Sequence, residues 1–270
     1  MHKELIKRDD GSVISCEIQG SQTSPPLLLS NSLATTRSLW DEVLPALLQD
    51  FRVVRYDTRG HGHSTTPVAS ASLRDLAADA VAVLDHFSVE RALMAGISLG
   101  GMTALTMAVH TPERLSGVLA CNCRDFVDQA AIKAWEDRIQ MASTAGMSAL
   151  VEPTLARWFT PEFRRDHPAM MASVADMIRA TDPIGFEACI RAIIGTTLQS
   201  EIGAIKLPTR LVAGADDGAA PSAIMNAMAA KIEGAVCTTF ADCGHLSALN
   251  QGLLLVQEIQ TLAQVAHPSH

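Results

Sequence analysis

Short apolar runs alternate with helix-like segments along most of the chain. The runs at 4–8 and 12–18 flank the turn sequence Asp9-Asp10-Gly11, a pattern that predicts a β-hairpin. Six further apolar runs are predicted strands: 27–29, 52–56, 91–95, 115–121, 209–213 and 236–240. Apolar positions at helical spacing predict helices at 40–48, 73–87, 103–108 and 223–231, and a closing helix after Leu249. Ser72 and Asp75 have the pattern of a capping box before the second of these helices.

The alternation is interrupted once. Between 124 and 207 helical periodicity dominates, and this block contains Trp135 and Trp158. Strand–helix alternation around one helical block predicts an α/β fold, with a doubly wound, mostly parallel eight-stranded sheet flanked by helices and an inserted helical cap. We therefore divide the chain into a core of 1–123 and 208–270 and a cap of 124–207. In open α/β sheets, ligands bind at the carboxyl ends of the strands.

The segment Gly96–Gly100 has the Gly-x-Ser-x-Gly pattern of a serine nucleophile elbow. An elbow is a strained turn from a strand into a helix, and its glycines let neighbouring backbone pack against the serine. The pattern alone is weak evidence, because glycine and serine are common residues. Its position between a predicted strand and a predicted helix strengthens it, since the turn exposes the hydroxyl and places the next N–H at a helix N-terminus. Ser98 is therefore a candidate nucleophile, provided that an acid and a histidine follow.

Two later loops supply the groups that would activate Ser98. A serine hydroxyl needs a base to take its proton, and the base needs an acid to fix its tautomer. The strand at 209–213 leads into Asp216 and Asp217, and the last predicted strand leads to His245. Acid followed by histidine is the chain order that accompanies a nucleophile elbow. We expect Asp217 to be the acid and His245 the base, with Asp216 a solvated or turn-capping neighbour.

Other histidines are weaker candidates for the base. His61 and His63 lie in a glycine-rich turn after a strand, which is more typical of a structural turn, although a contact with the pocket stays open. Five others lie on predicted helices or near the chain ends: His86, His110, His2, His267 and His270. His245 therefore remains the expected base.

The loop after the strand at 27–29 is the expected source of an oxyanion donor. It reads Ser-Asn-Ser-Leu from Ser30 to Leu33. Many hydrolases with an elbow carry His-Gly where this chain has Asn31-Ser32, so the expected donors are the N–H groups of Leu33 and Leu99. The alternative is an ordinary polar loop rich in serine and asparagine.

Composition narrows the class of protein. The chain has 270 residues, of which 48% are hydrophobic and 19% charged, which fits a folded domain with a large core. Its net charge of −8 argues against nucleic-acid binding, and it has no apolar stretch long enough to cross a bilayer. The N-terminus lacks the apolar region of a signal peptide, so we expect a cytoplasmic protein whose partner is a small molecule rather than a nucleic acid or a membrane. These patterns leave the oligomeric state open.

Six cysteines are spread along the chain. A disulfide framework is not expected in a large chain without an export signal. Cys121-Asn122-Cys123 has the wrong spacing for a metal finger. Buried or pocket-lining thiols are therefore the expected interpretation, with a redox or metal role as the minor alternative.

Sequence motifs in the core and in the helical block are together typical of one family. In the core they are Ser30–Leu33, Trp40-Asp41, Tyr56–Gly62, Gly96–Met102 and Gly244–Ser247. In the helical block they are Trp135 with Arg138-Ile139, Gly146-Met147, Arg157–Pro161 and Thr181–Pro183 with Gly185. Together these segments resemble the 3-oxoadipate enol-lactonases of the α/β-hydrolase superfamily, over nearly the whole chain. The elbow and Gly-His motifs are superfamily-wide, whereas Ser-Asn-Ser-Leu and Arg-Trp-Phe-Thr-Pro are more specific.

The resemblance implies an α/β-hydrolase fold and carries the family's triad onto Ser98, Asp217 and His245. It implies a serine hydrolase that opens a small, carboxylate-bearing enol-lactone from aromatic catabolism, without a metal or an organic cofactor. Three residues of the helical block are candidates for substrate contact and anion recognition: Trp135, Arg138 and Trp158. Helix packing and a solvated charge are the alternatives for these three.

Departures from the family pattern leave the substrate open. Ala34 stands where the family usually has glycine, and the segments 121–126, 194–198 and 250–252 also differ. These changes leave the triad intact, but one charge or methyl group in a pocket can change discrimination by about ten- to a hundredfold. An acyl-homoserine lactonase, a carboxylesterase, a carbon–carbon bond hydrolase or a perhydrolase on the same triad therefore stays open. So does a non-catalytic ligand-binding protein of the same fold.

Overall fold

A single sheet forms the centre of the molecule. The structure is a computed structural model, and it describes residues 3–67 and 70–266. The strands are Glu4–Lys7 (β1), Val13–Gln19 (β2), Pro26–Ser30 (β3), Arg52–Tyr56 (β4), Ala92–Ile97 (β5), Leu115–Cys121 (β6), Thr209–Gly214 (β7) and Val236–Phe240 (β8). Within the described ranges these eight strands form one sheet in the order β1-β2-β4-β3-β5-β6-β7-β8. The pairs β1–β2 and β2–β4 are antiparallel and the others are parallel, so the expected eight-stranded, mostly parallel sheet is confirmed.

Helices occupy most connections between the parallel strands. Before β6 they are Leu44–Asp50 (α1), Leu73–His86 (α2) and Leu99–His110 (α3). Between β6 and β7 they are Gln129–Ala145 (α4), Val151–Trp158 (α5), Pro161–Asp166 (α6), Pro168–Ala180 (α7), Pro183–Ile194 (α8) and Leu198–Glu201 (α9). After β7 they are Ser222–Ala229 (α10), Ser247–Asn250 (α11) and Gly252–Ala266 (α12).

Helix α2 begins at the predicted capping box. The Ser72 hydroxyl accepts a hydrogen bond from the Asp75 N–H at 3.2 Å, and the Asp75 carboxylate accepts one from the Ser72 N–H at 2.7 Å. These two bonds satisfy N–H groups that the first turn of a helix leaves without partners. Leu76 and Val83, on the apolar face of α2, are buried in the core.

One predicted helix differs from the structure. The segment predicted as a helix at 40–48 forms a short 3-10 helix, Arg37–Trp40, followed by a turn and then α1. The cause is Pro45, which lies in the first turn of α1. Proline has no N–H and its ring clashes with the carbonyl four residues earlier, so a helix cannot continue through it from Trp40.

Strand register brings three loops together at one edge of the sheet. Ser30 pairs with Gly96 and Ile97 pairs with Cys121, so the loops after β3, β5 and β6 start side by side. Gly214 pairs with Phe240, which places the loops after β7 and β8 beside them. The carboxyl ends of the parallel strands therefore collect the residues that the sequence marked as chemically interesting.

The helices α4 to α9 lie between β6 and β7 in the chain, over the same edge of the sheet. Residues from this block line a cavity together with residues from the strand ends. Within the part of the chain that the structure describes, no helix is both long and apolar enough to cross a membrane.

Candidate active site

Ser98 occupies a strained turn between β5 and α3. Its backbone has φ 57° and ψ −114°, a conformation that side-chain-bearing residues rarely adopt. A Cβ on Gly96 would lie 2.1 Å from the Gly100 carbonyl oxygen, and one on Gly100 would lie 2.2 Å from that of Ser30, so both positions require glycine. The Ser98 N–H donates to the Cys121 carbonyl at 2.8 Å. The turn therefore holds the Ser98 side chain above the edge of the sheet.

The structure brings Ser98, Asp217 and His245 together. The Ser98 Oγ lies 2.9 Å from the His245 Nε2. The His245 Nδ1 lies 3.0 Å from one carboxylate oxygen of Asp217 and 2.9 Å from the other. With Nδ1–H donating to the carboxylate, the Nε2 lone pair faces the serine hydroxyl, which is the tautomer that a general base needs.

Asp217 is buried and surrounded by donors. Besides His245, its carboxylate accepts the N–H groups of Ala219 at 2.7 Å and Ala220 at 2.9 Å and the Asn122 amide at 3.1 Å. Burial alone raises the pKa of Asp217, but the charge and hydrogen bond of His245, with the bonds from Ala220 and Asn122, outweigh it and lower the pKa to about 2. The acid is therefore ionised at neutral pH and fixed in position.

Asn122 takes part in this network, and the sequence analysis did not identify it. Its φ of 51° is in the left-handed region that asparagine tolerates better than most residues. Its amide donates both to Asp217 and to the Gly244 carbonyl at 3.1 Å, so it links the acid to the loop of the histidine. The available signal was its place directly after β6, where a polar residue at a strand end lies near the site.

His245 is also held from the helical block. Its N–H donates to the Trp158 carbonyl at 2.8 Å. The Trp158 ring is buried and stacks on the imidazole, with ring centres 6.1 Å apart and planes 25° apart. Trp158, expected from the sequence to contact substrate, therefore lines the cavity and also positions the histidine.

The competing candidates lie elsewhere. Asp216 is exposed, and its N–H donates to the Cys243 carbonyl. His63 contacts Lys3, whereas His86 pairs with Glu4 and His110 with Glu201 at the surface. His2, His267 and His270 lie outside the described residues.

The loop after β3 is fixed by His61. The Ala34 N–H donates to the His61 Nε2 at 2.9 Å, and the His61 Nδ1–H donates to the Arg59 carbonyl at 2.9 Å. Complete burial lowers the pKa of His61, so it stays neutral in this role. Ala34 has φ 58°, a left-handed conformation that glycine adopts at lower cost.

The expected oxyanion donors are the N–H groups of Leu33 and Leu99. Leu33 lines the same cavity as Ser98, and Leu99 follows Ser98 as the first residue of α3. Among the described residues neither the Leu33 N–H nor the Leu99 N–H has an acceptor. Two unpaired N–H groups next to a serine hydroxyl are available to a bound carbonyl oxygen.

Positively charged residues also line this cavity. Trp135 and Arg138, both on α4, line the cavity as expected, with the guanidinium 5.6 Å from the centre of the Trp135 ring. Burial and the nearby charge of Arg157 lower the pKa of Arg138 to about 10, so it remains a cation at neutral pH.

Arg124 and Arg157 line the same cavity, and the sequence analysis did not identify either as a site residue. The Arg124 Nε donates to the Ala219 carbonyl at 2.6 Å. No carboxylate lines this cavity among the described residues, and none there pairs with these guanidiniums. The cavity is therefore cationic, although the whole chain has a net charge of −8.

Two buried polar atoms add to the lining. The Ser32 Oγ and the Asn122 Oδ1 have no hydrogen-bond partner among the described residues, and both side chains border the cavity. Buried polar atoms are almost always paired in folded proteins, so these two are available to a ligand.

Metal-ligating groups do not cluster here. Across residues 3–67 and 70–266, no group of three or more His, Cys, Asp or Glu side chains has a geometry that could hold a metal ion. All six cysteines fall in these ranges and are free thiols, among them Cys123 in the cavity wall.

Comparisons with known proteins identify the family and the fold. The family described as alpha/beta hydrolase fold matches residues 25–251. A 3-oxoadipate enol-lactonase of Acinetobacter baylyi is 33% identical over 198 residues, which is 73% of this chain and 73% of that one. The structure of an enol-lactonase from Burkholderia xenovorans has a TM-score of 0.90 and 32% identity, covering 94% of this chain and 98% of that one.

A second solved structure extends the agreement. A hydrolase from Pseudomonas aeruginosa has a TM-score of 0.92 and 30% identity, covering 97% of this chain and 98% of that one. The expected resemblance to the 3-oxoadipate enol-lactonases is confirmed, and so is the expected fold. The chain belongs to the alpha/beta hydrolase fold family.

Proposed function

We propose that this chain is a serine hydrolase that opens a small lactone, or cleaves a small ester, that carries a carboxylate. The observation that supports this most strongly is the 2.9 Å contact between the Ser98 Oγ and a histidine already bonded to a buried aspartate. A weak nucleophile becomes effective when a base takes its proton and an acid stabilises the base. The enol-lactonase relatives support a lactone as the substrate.

Acylation follows from this arrangement. The Ser98 Oγ attacks the carbonyl carbon while its proton passes to the His245 Nε2. The N–H groups of Leu33 and Leu99 bind the oxygen that becomes negative, and losing one such donor typically costs about 3 kcal/mol of barrier. The carbon–oxygen bond of the ester then breaks, and the leaving oxygen takes the proton from His245. In an enol-lactone that leaving group is an enol, and it stays tethered to the acyl-enzyme.

Deacylation uses the same groups. His245 takes a proton from a water molecule, the resulting hydroxide attacks the acyl carbon, and the bond to the Ser98 Oγ breaks as that oxygen regains a proton. Asp217 keeps the imidazole oriented and stabilises its charged form through both steps. The products are a carboxylic acid and, from an enol-lactone, the ketone of the same molecule.

We further propose that the segment 124–207 acts as a cap that selects the substrate. Trp135 and Trp158 supply apolar walls, and Arg138 supplies a charged anchor in the same cavity as Ser98. A guanidinium binds a carboxylate through two parallel hydrogen bonds, which fixes orientation as well as affinity. An anionic group held there would place the reacting carbonyl toward the strand ends.

A substrate panel with product identification tests the proposal. A carboxylate-bearing enol-lactone, an acyl-homoserine lactone and short p-nitrophenyl esters would be compared by kcat/KM, with products identified by mass spectrometry. In parallel, a fluorophosphonate would be used to label the active serine. We expect the label on Ser98 and a preference for the enol-lactone of at least about tenfold.

The possible outcomes distinguish the serine mechanism from the substrate class. A fluorophosphonate that leaves Ser98 unlabelled, or full activity in Ser98→Ala, would overturn the serine mechanism. Labelled Ser98 with a preference for the acyl-homoserine lactone or the neutral esters would overturn the substrate class and leave the mechanism standing.

A further inference from the structure

Three guanidiniums share the cavity that contains Ser98, and they come from different elements. Arg124 follows β6, Arg138 lies on α4 and Arg157 lies on α5. Within the described ranges, none of the three has a carboxylate partner. We call these three residues the arginine cluster.

Arg157 interacts electrostatically with both of the other arginines. Partial burial and the charge of Arg124 lower the pKa of Arg157, and burial and the charge of Arg157 lower the pKa of Arg138. Like charges that share a cavity without a counter-charge repel one another. An anion bound among them would relieve this repulsion.

Among the described residues, Asp217 is the carboxylate whose charge acts on Arg157, and its hydrogen bonds are already made. Its charge opposes the lowering of the Arg157 pKa by burial and by Arg124. Its own oxygens, however, accept hydrogen bonds from His245, Ala219, Ala220 and Asn122. In the part of the chain that the structure describes, counter-charge for the cluster must therefore come from a ligand.

Two members of the cluster are anchored at separate places. The Arg138 guanidinium lies against Trp135 and donates to the Thr154 hydroxyl at 3.3 Å, so it belongs to the packing of α4 on α5. The Arg124 Nε is fixed by the Ala219 carbonyl, beside the loop of Asp217, which leaves its remaining N–H groups free. One carboxylate has two oxygens and one charge, so it satisfies one guanidinium well and cannot neutralise three.

We propose that Arg124 and Arg157 form a second anion subsite, distinct from the one at Arg138, and that the enzyme takes a lactone or ester bearing two carboxylates. This rests on the proposed function, and it goes beyond a substrate with a single carboxylate. Arg124 lies in the segment 121–126, one of the departures from the family pattern, whereas Arg157 belongs to the Arg157–Pro161 motif that carries the resemblance. After hydrolysis the product would carry three carboxylates, the new one at Ser98.

Binding of simple acids tests the subsite without turnover. Butyrate, glutarate and propane-1,2,3-tricarboxylate would be titrated into the wild-type protein by calorimetry at constant ionic strength. We expect affinity to rise at each added carboxylate by about tenfold, as for a charge-assisted hydrogen bond. In Arg124→Gln the gain from butyrate to glutarate should disappear, because the second carboxylate loses its subsite, while the Kd of butyrate changes by less than about threefold. Arg157→Gln removes an exposed side chain and should have the same effect.

A matched control comes from the surface of the same helical block. Arg179 on α7 pairs with Asp176 and does not line the cavity, so Arg179→Gln removes the same charge and should leave all three affinities unchanged. Wild-type protein that binds glutarate no better than butyrate would overturn the second subsite. So would an Arg124→Gln protein that loses butyrate and glutarate affinity equally. Fluorophosphonate labelling of Ser98 is independent of these affinities, so failure of the subsite and failure of the serine mechanism are distinguishable.

Discussion

The triad at the strand ends and the arginine cluster differ in how many of their hydrogen bonds the protein itself supplies. On the strand-end side, Asp217 is saturated with donors and His245 is bonded at both ring nitrogens. On the side of the arginine cluster, Arg138 has one 3.3 Å bond to a threonine hydroxyl and Arg157 has no hydrogen-bond partner among the described residues. Groups of the protein therefore satisfy the hydrogen bonding of the triad, whereas among the described residues they do not satisfy that of the arginine cluster.

From this difference we infer that the triad serves the chemical step and that the arginine cluster serves substrate binding. A preorganised acid, base and nucleophile need no rearrangement when the reaction begins, which is where electrostatic catalysis gains most. Unpaired cations are unfavourable in the free protein, and that cost is recovered only when an anion binds. Variants on the strand-end side should therefore act on kcat, and variants in the arginine cluster should act on KM and on discrimination between substrates.

The largest effect is expected from Asp217→Asn. The amide keeps the shape but cannot hold the imidazole in the right tautomer, so kcat should fall by about 10⁴-fold with little change in KM. Asp216→Asn is the matched control, because that neighbour is exposed and outside the network, and its kcat should stay within about threefold of wild type. Steady-state kinetics on the preferred substrate measure both. Equal losses in the two variants would contradict the assignment.

The same carboxylate gives stability a pH dependence. Because the pKa of Asp217 falls from 3.8 to about 2 on folding, its ionised form stabilises the native state above pH 4, and this is lost as the pH falls from about 4 to about 2. The full contribution is about 2 kcal/mol. Urea unfolding of wild type and Asp217→Asn between pH 5 and pH 3 checks it. The wild-type free energy of unfolding should fall more steeply, and parallel curves would show that the group is not stabilised as described.

Arg138→Gln tests the other side of the cavity. Loss of a guanidinium that holds a carboxylate should raise KM for an anionic substrate by about tenfold, with kcat and the rate on a neutral p-nitrophenyl ester changed much less. Arg164→Gln is the control, because Arg164 pairs with Glu152 on the same block and does not line the cavity. An equal loss on neutral and anionic substrates would mean that Arg138 supports α4 packing rather than substrate binding.

Sequence predicted the strand-end side far better than the arginine cluster. Ser98 and His245 follow strands within short motifs, so chain order alone places them at one edge of a parallel sheet. Arg124 follows β6 and Arg157 lies on α5, so they line one cavity only once the helical block packs against the strand ends, and nothing local distinguishes them from solvated arginines. The start of the helix predicted at 40–48 was wrong for a local reason, because periodicity outweighed the signal of Pro45 and α1 begins at Leu44.

The sequence analysis also did not identify Asn122. We expect its removal to have a moderate effect on kcat. Asn122→Gly deletes the amide that links Asp217 to the Gly244 carbonyl while keeping the positive φ accessible, so strain does not confuse the result. We expect kcat to fall about tenfold, as for loss of one bond to a buried charge. Asn226→Gly, at an exposed amide bonded to the Ser222 carbonyl, is the control for kcat. An unchanged kcat in Asn122→Gly would show that the other three donors suffice to hold Asp217.

The smallest effect is expected from Ala34→Gly, and it tests whether strain in the loop after β3 has a catalytic purpose. Ala34 has φ 58°, where a methyl group costs about 1 kcal/mol that glycine avoids, although glycine loses part of this through greater freedom when unfolded. The N–H that bonds to His61 is unaffected by the change. We therefore expect the free energy of unfolding to rise by about 0.5 kcal/mol, with kcat within about threefold of wild type. A fall in kcat of tenfold or more without loss of stability would show instead that the methyl group, which borders the cavity, helps to position the substrate carbonyl against the Leu33 N–H.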